Sequence, residues 1–341
     1  MVKMSPIDSV NHYLTLLNAG FMAMDPPNGY ILAWVGGIDH RFFKYDHVTS
    51  KRQIGSTFKP FVYANALEKG AKPCDYFPND SIVYENYDNW SPNNASREYG
   101  GVYSLQGALV NSVNTISVQV LMEGGIDTTI QLAKDMGINT EFPKVPSLAL
   151  GTLTASVKQM AEAYTGFAGQ GKPLQGKALL RIENSEGKVL ENFKSDSNPQ
   201  QVLDKTVSEQ ITMMLQHVVE RGTARSLKDH FSFTGDVAGK TGTTQDHADG
   251  WFVGYTPNLV FASWVGAEYP AVHFKDLTYG QGAATALPIA GYFLNDLYKN
   301  HPNSKYLAEF NYNHIDPSAY SCRDYREEAP GFFEKLLDAL K

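Results

Sequence analysis

The chain has 341 residues, 43% hydrophobic and 19% charged, with 29 Lys and Arg against 36 Asp and Glu for a formal net charge of −7. That is the composition of a globular protein long enough to bury its own core. The acidic balance and the lack of any Lys/Arg run argue against a nucleic-acid backbone or an anionic lipid surface as partner.

No stretch approaches the roughly 18 consecutive apolar residues of a membrane span, and residues 1–20 lack a basic-then-apolar signal pattern. Nothing in this sequence therefore contacts a membrane. Cys74 and Cys322 are too few for a disulfide framework and too far apart for a zinc-type cluster, so cysteine usage says little about compartment.

In chain order, residues before 17 read as a linker or a short helix. Residues 19–24 and Tyr30–Val35 are apolar, aromatic runs joined by Asp25-Pro26-Pro27-Asn28-Gly29, which predicts a β-hairpin. Residues 56–69 predict a helix: Phe58, Val62 and Ala66 share a face, Pro60 is tolerated in the first turn, and Gly70 is a stop. Residues 74–101, rich in Asn, Asp, Pro, Ser and Tyr without periodicity, predict a long ordered loop. Helical signals follow at 104–111, 115–122, 127–136 and 154–168. A small hairpin pairs 178–183 with 189–193 around Ser185-Glu186-Gly187. Thr206-Val207-Ser208-Glu209 fits a capping box for a helix reaching about Arg221, with Gly222 as its stop and with Asp204, Glu209 and Glu220 on a solvated face. Strand signals return at 237–242, 251–255 and 259–266, the last two joined by Thr256-Pro257-Asn258. Strands, then helices, then strands imply one α/β unit whose sheet is closed by both chain ends.

Three short patterns occur in order: Ser56-Thr57-Phe58-Lys59, Ser112-Val113-Asn114 and Lys240-Thr241-Gly242, followed by Thr243 and Thr244. S-x-x-K and S-x-N recur by chance elsewhere, at Ser185–Lys188, Ser9–Asn11 and Ser91–Asn93. K-T-G occurs once, where average usage gives fewer than about 0.1 per chain. Context separates the set from noise, because S-x-x-K opens an apolar helix, S-x-N joins two helical signals and K-T-G begins a strand.

The residue types suit acyl transfer. A serine hydroxyl needs a base within hydrogen-bond reach, and Ser56 and Lys59 lie one helical turn apart. Lysine serves as base only when burial or another cation lowers its pKa, and Lys240 supplies that cation. Ser112 can relay a proton between Lys59 or Lys240 and the leaving group. The Asn114 amide offers a donor and an acceptor to a substrate peptide bond, and the Thr241 and Thr243 hydroxyls suit a terminal carboxylate. Backbone N–H groups of Ser56 and Thr243 fit an oxyanion hole. The bland readings are a capped helix at Ser56 and a helix junction at Ser112. A sharper rival, a phosphate loop over Gly235-Asp236-Val237-Ala238-Gly239-Lys240-Thr241, is one residue short and lacks a following helix. Asp246-His247-Ala248-Asp249 reads as a polar loop rather than a metal site, His217 as structural, and no cofactor is called for.

At these residues the sequence resembles the penicillin-binding proteins and serine β-lactamases, whose motif set is a known template. The nearer resemblance is to the transpeptidase domain of class A, bifunctional penicillin-binding proteins. It is carried by Phe21-Met22-Ala23-Met24-Asp25-Pro26, Ala33-Trp34-Val35-Gly36-Gly37 and Gly55-Ser56-Thr57-Phe58-Lys59-Pro60-Phe61. It continues through Gly222-Thr223-Ala224-Arg225, Gly239-Lys240-Thr241-Gly242-Thr243-Thr244 and Trp251-Phe252-Val253-Gly254-Tyr255-Thr256.

The resemblance implies the serine β-lactamase/D,D-peptidase-like α/β fold, a central mainly antiparallel sheet flanked by helices with an all-α subregion. It implies a Ser56 acyl-enzyme with the penultimate D-alanine of a peptidoglycan stem peptide, transfer to an amine, and acylation by β-lactam antibiotics. Catalysis falls to Ser56, Lys59, Ser112 and Lys240, and substrate binding to Asn114, Thr241, Gly242, Thr243 and Thr244. It further implies a membrane-anchored whole protein with a glycosyltransferase domain, on the periplasmic face of a bacterial cytoplasmic membrane. Residues 1–16 are then a linker from that part, 17–300 the penicillin-binding domain and 301–341 a C-terminal extension. Two alternatives share the fold: a β-lactamase, although no E-x-x-L-N segment is present, and a sensor that acylates once and signals.

Overall fold

The computed structural model describes residues 4–193 and 199–328. Helix α1 (Pro6–Leu14) is capped by Ser5, whose hydroxyl accepts from the Asp8 amide while the Asp8 carboxylate takes the Ser5 N–H. Strands β1 (Leu17–Asp25) and β2 (Tyr30–Val35) form the expected hairpin. After β3 (Arg52–Gln53) comes a 3₁₀ turn, Gly55–Phe58, and then α2 (Lys59–Glu68).

The single helix expected from residue 56 is thus split. Pro60 has no N–H to give to the Ser56 carbonyl, so Lys59 N–H closes a tighter turn there instead, and the α-helix starts one turn late. Helix α2 also lacks a one-sided stripe. Every residue from Lys59 to Leu67 is buried, because helices and sheet surround it.

The loop after α2 contains β4 (Tyr76–Pro78) and ends at β5 (Val102–Ser104). The all-α region follows as α3 (Leu105–Val110), α4 (Asn114–Gly124) and α5 (Ile126–Asp135). Strand β6 (Thr154–Ala155) pairs with β3, and α6 (Val157–Ala168) is capped by Ser156. The small hairpin is β7 (Arg181–Glu183) and β8 (Val189–Asn192). Helix α7 (Lys205–Arg221) is capped by Asp204, whose carboxylate accepts from Thr206 N, and not by the expected Thr206 box. After α8 (Ser226–Asp229) come β9 (Ala238–Thr243), β10 (Asp249–Thr256), β11 (Leu259–Ala267), α9 (Leu277–Gly280), α10 (Leu287–Asn300) and β12 (Tyr325–Arg326). Among the described residues no helix is long and apolar enough to cross a membrane.

The main sheet has the order β2-β1-β11-β10-β9, antiparallel throughout, so both ends of the sequence do close it. Phe21 and Phe261 lie against Phe293 of α10 on one face. Tyr255, paired with Val260 and so on the opposite face, meets Tyr164 of α6 edge-on. Covered on both sides, β10 and β11 are buried along their whole length, which is why they read as continuous apolar runs. Strand β9 is left as an edge.

Beyond α10, the chain expected as an extension folds back over the domain; residues 329–341 lie outside the described residues. Lys305 pairs with buried Asp25 at 2.8 Å, and Thr256 donates to the Tyr306 carbonyl. Glu209, expected on a solvated face, is buried instead, and its carboxylate accepts from the Asn313, His314 and Ile315 amides. Strand β12 pairs with β5, and Cys322 is bonded to Cys74 across a sequence separation of 248. The cysteines that looked uninformative are a cross-link. Closing so long a loop removes much of the unfolded chain's freedom, worth about 5 kcal/mol in the chain-entropy picture.

Candidate active site

The site forms where the Gly55–Phe58 turn, the start of α2, the α3–α4 junction and edge strand β9 converge. Only glycines permit that approach. Gly55 sits at φ 55, and a Cβ there would lie 2.7 Å from the Thr243 carbonyl oxygen. A Cβ on Gly242 would lie 2.7 Å from the Ile54 oxygen and 2.9 Å from Thr57 Cγ2. Alternation along β9 therefore turns Lys240 inward with Gly242, and Thr241 and Thr243 the other way.

Lys59, the first residue of α2, is fully buried. Its Nζ donates to the Ser112 carbonyl at 2.7 Å, to Ser112 Oγ at 3.2 Å and to Asn114 Oδ1 at 2.7 Å. Lys240, equally buried, donates to the same Ser112 Oγ at 3.0 Å and to the Thr241 carbonyl at 3.2 Å. Among the described residues neither ammonium has a carboxylate partner. Burial, and then the charge of Lys240, hold Lys59 well below the usual lysine range, and burial lowers Lys240 to about 7. Ser112 can serve both because its backbone is left-handed, at φ 55, which presents its carbonyl and its hydroxyl to the two lysines.

Ser56 is half-buried in the 3₁₀ turn, one turn ahead of Lys59. Its hydroxyl makes no hydrogen bond among the described residues. The expectation that both lysines address the Ser56 hydroxyl is not met: among the described residues both donate to Ser112 Oγ, and neither hydrogen-bonds Ser56, because the left-handed Ser112 turn brings its hydroxyl between them. Asn114 gives Lys59 its oxygen and donates through Nδ2 to the Asn93 carbonyl at 2.8 Å, leaving one lone pair and one N–H for a ligand. Thr241 Oγ1 is 2.7 Å from Thr223 Oγ1, and Thr243 Oγ1 accepts from Gly282 N–H at 3.0 Å. Thr244 is buried, with its hydroxyl held by the Asp249 carboxylate and amide. The phosphate-loop alternative fails because β9 leads through a turn into β10 and not into a helix.

Sequence reading missed the residues that hold the α3–α4 junction. Asn94 accepts from the Asn114 and Thr115 amides, and Asn79 accepts from Asn94 Nδ2 and Thr115 Oγ1. Their only signal was the density of asparagine in an aperiodic loop. Thr223 lay within a quoted block but carried no assigned duty.

The family model for the penicillin-binding protein transpeptidase domain matches residues 19–289. The chain belongs to that family. Among curated relatives of this transpeptidase domain, penicillin-binding protein 1A of Rickettsia conorii is 34% identical over 312 residues, covering 84% of this chain and 39% of the relative. Penicillin-binding protein 1A of Neisseria lactamica is 34% identical over 286 residues, covering 80% and 35%. The chain thus spans about two fifths of the length of these relatives. Penicillin-binding protein 1A from Haemophilus influenzae superposes with a TM-score of 0.77 at 25% identity, covering 85% of this chain and 48% of that one. PonA1 from Mycobacterium tuberculosis, solved in complex with penicillin V, superposes at 0.70 with 25% identity, covering 89% and 85%. The fold is that of the penicillin-binding transpeptidase domains, a mainly antiparallel sheet flanked by helices.

Proposed function

We propose that this domain is a serine D,D-transpeptidase that cross-links peptidoglycan stem peptides and is acylated by β-lactams. The observation that carries the reading is the pair of buried lysines on one serine hydroxyl, with a second serine, Ser56, one turn ahead of Lys59. Lys59, once it has released a proton, takes the Ser56 proton as Oγ attacks the carbonyl of the penultimate D-alanine. The developing oxyanion is received by the N–H groups of Ser56, at the start of a helical turn, and Thr243, on the edge strand. The proton passes from Lys59 or Lys240 through Ser112 to the departing D-alanine nitrogen, and the Ser56 ester forms as the peptide bond breaks. An amine from a neighbouring strand then attacks the ester and restores the serine; water in its place gives carboxypeptidase hydrolysis. Thr241, Thr243 and Lys240 suit the substrate carboxylate. Gly242 keeps the strand close to the nucleophile, and Asn114 offers its remaining lone pair and N–H to the substrate amide.

The Cys74–Cys322 cross-link supports an extracytoplasmic location, since such bonds persist in oxidising compartments. The length of the relatives supports a larger protein with a glycosyltransferase part and a membrane anchor. We place the end of the catalytic domain beyond residue 300, because the segment through β12 packs on it.

Intact-mass measurement with a penicillin tests the reading. A long-lived adduct on Ser56 is expected, lost in Ser56→Ala and formed about 10²-fold more slowly in Lys59→Ala. Turnover within seconds would instead mark a β-lactamase, and labelling of Ser56→Ala would remove the nucleophile assignment. Cross-linked product from a donor pentapeptide and an acceptor amine separates a transferase from a sensor.

A further inference from the structure

Helix α4 opens with Asn114, two residues after Ser112, yet its own N-cap, Val113, has no side chain able to cap it. The first amides of a helix need acceptors, and buried ones need them most. Here the acceptor comes from outside the helix. Asn94, 7% exposed, places Oδ1 2.9 Å from the Asn114 amide and 3.2 Å from the Thr115 amide. The neighbouring Asn93 carbonyl takes the Asn114 side-chain N–H at 2.8 Å, which fixes which end of that amide faces Lys59. Asn94 is itself pinned by donating to Asn79 Oδ1 at 2.7 Å and to the Glu98 carbonyl at 2.9 Å.

We propose that Asn94 is a positioning residue for acylation: by capping α4 from the loop, it holds Asn114 and the left-handed Ser112 turn where the two lysines meet them. Among the described residues it makes no hydrogen bond to either lysine or to Ser56, and it acts through the helix start. The proposal rests on the acyl-transfer reading of this site and assigns it a determinant outside the three motifs.

The test uses the full chain with a fluorescent penicillin, reading the limiting acylation rate constant and the half-saturating concentration separately, with unfolding temperature alongside. Asn94→Ala is expected to lower the limiting rate constant at least about tenfold with little change in half-saturation, as a misplaced Lys59 partner would. Asp204→Ala removes the cap of α7 at the end far from Thr223 and serves as the stability control, with a lowered unfolding temperature and an unchanged rate. If Asn94→Ala does not fold, Asn94→Ser, whose hydroxyl stops short of both amides, takes its place with the same expected loss. Wild-type rates in the Ala or Ser variant would overturn the proposal. So would equal slowing in Asp204→Ala. Failure of wild type to label at Ser56 would instead sink the acyl-transfer reading.

Discussion

Lys59 and Lys240 meet at one oxygen. From the first turn of a buried helix and from an edge strand, their ammonium groups reach Ser112 Oγ at 3.2 and 3.0 Å, with no anion between them. Two like charges in a dry site are stable together only if one yields its proton, and burial pushes both lysines that way.

Stability should therefore respond to pH through Lys240. Its folded pKa, about 7, lies below its ordinary value of 10.5, so between those limits the unfolded chain holds the extra proton and stability rises with pH. Below about 7 both states are protonated and the penalty is complete. Lys240→Met should remove this contribution, so that the unfolding temperature of the variant minus that of wild type falls from pH 7 to pH 10. A gap independent of pH would show that Lys240 titrates normally.

Ser112 separates conformation from chemistry. Both Ser112→Ala and Ser112→Gly remove the shared hydroxyl, and each should slow acylation by about 10²-fold or more. Only glycine is at ease at φ 55, so the Gly variant should be about 1 kcal/mol more stable than the Ala variant in urea titrations. Equal stability of the two would remove the strain argument, and unchanged acylation the relay.

The contact between the nucleophile turn and β9 tolerates no side chain. Gly55→Ala places a Cβ against the Thr243 carbonyl in a left-handed backbone, and Gly242→Ala does the same against Ile54. Each should lose at least about tenfold in acylation rate, since small misplacements of reacting groups are costly. A Gly55→Ala protein that labels at the wild-type rate would mean that the turn and the strand need not touch.

Reduction should loosen the domain from its C-terminal end. Losing the Cys74–Cys322 bond is expected to cost about 2–5 kcal/mol, seen as a lower unfolding temperature on adding reductant. The Cys74→Ser, Cys322→Ser double variant should start at that lower temperature and ignore reductant. An equal response of wild type and variant would place the effect elsewhere.

Most of the frame was legible in sequence. The β1–β2 and β10–β11 hairpins announced themselves through turn residues between apolar runs; S-x-N fell at the expected helix junction and K-T-G on the expected strand, while S-x-x-K straddles a 3₁₀ turn and the helix start. Those signals are local, fixed by spacing and by what Gly and Pro do to a backbone. Contacts between distant segments were not legible. Glu209 sat in a helical pattern that looked solvated, because its partners, the amides of Asn313 to Ile315, lie in a segment with no periodicity. Asn94 was one asparagine among many until a helix start was packed against it. The amino-acid order by itself determined which residues are candidates for the chemistry and, apart from the split at Ser56, which element each occupies. Only tertiary packing decided that both lysines address Ser112 and not Ser56, because the distance between side chains on separate elements depends on how helix, turn and edge strand close around glycine.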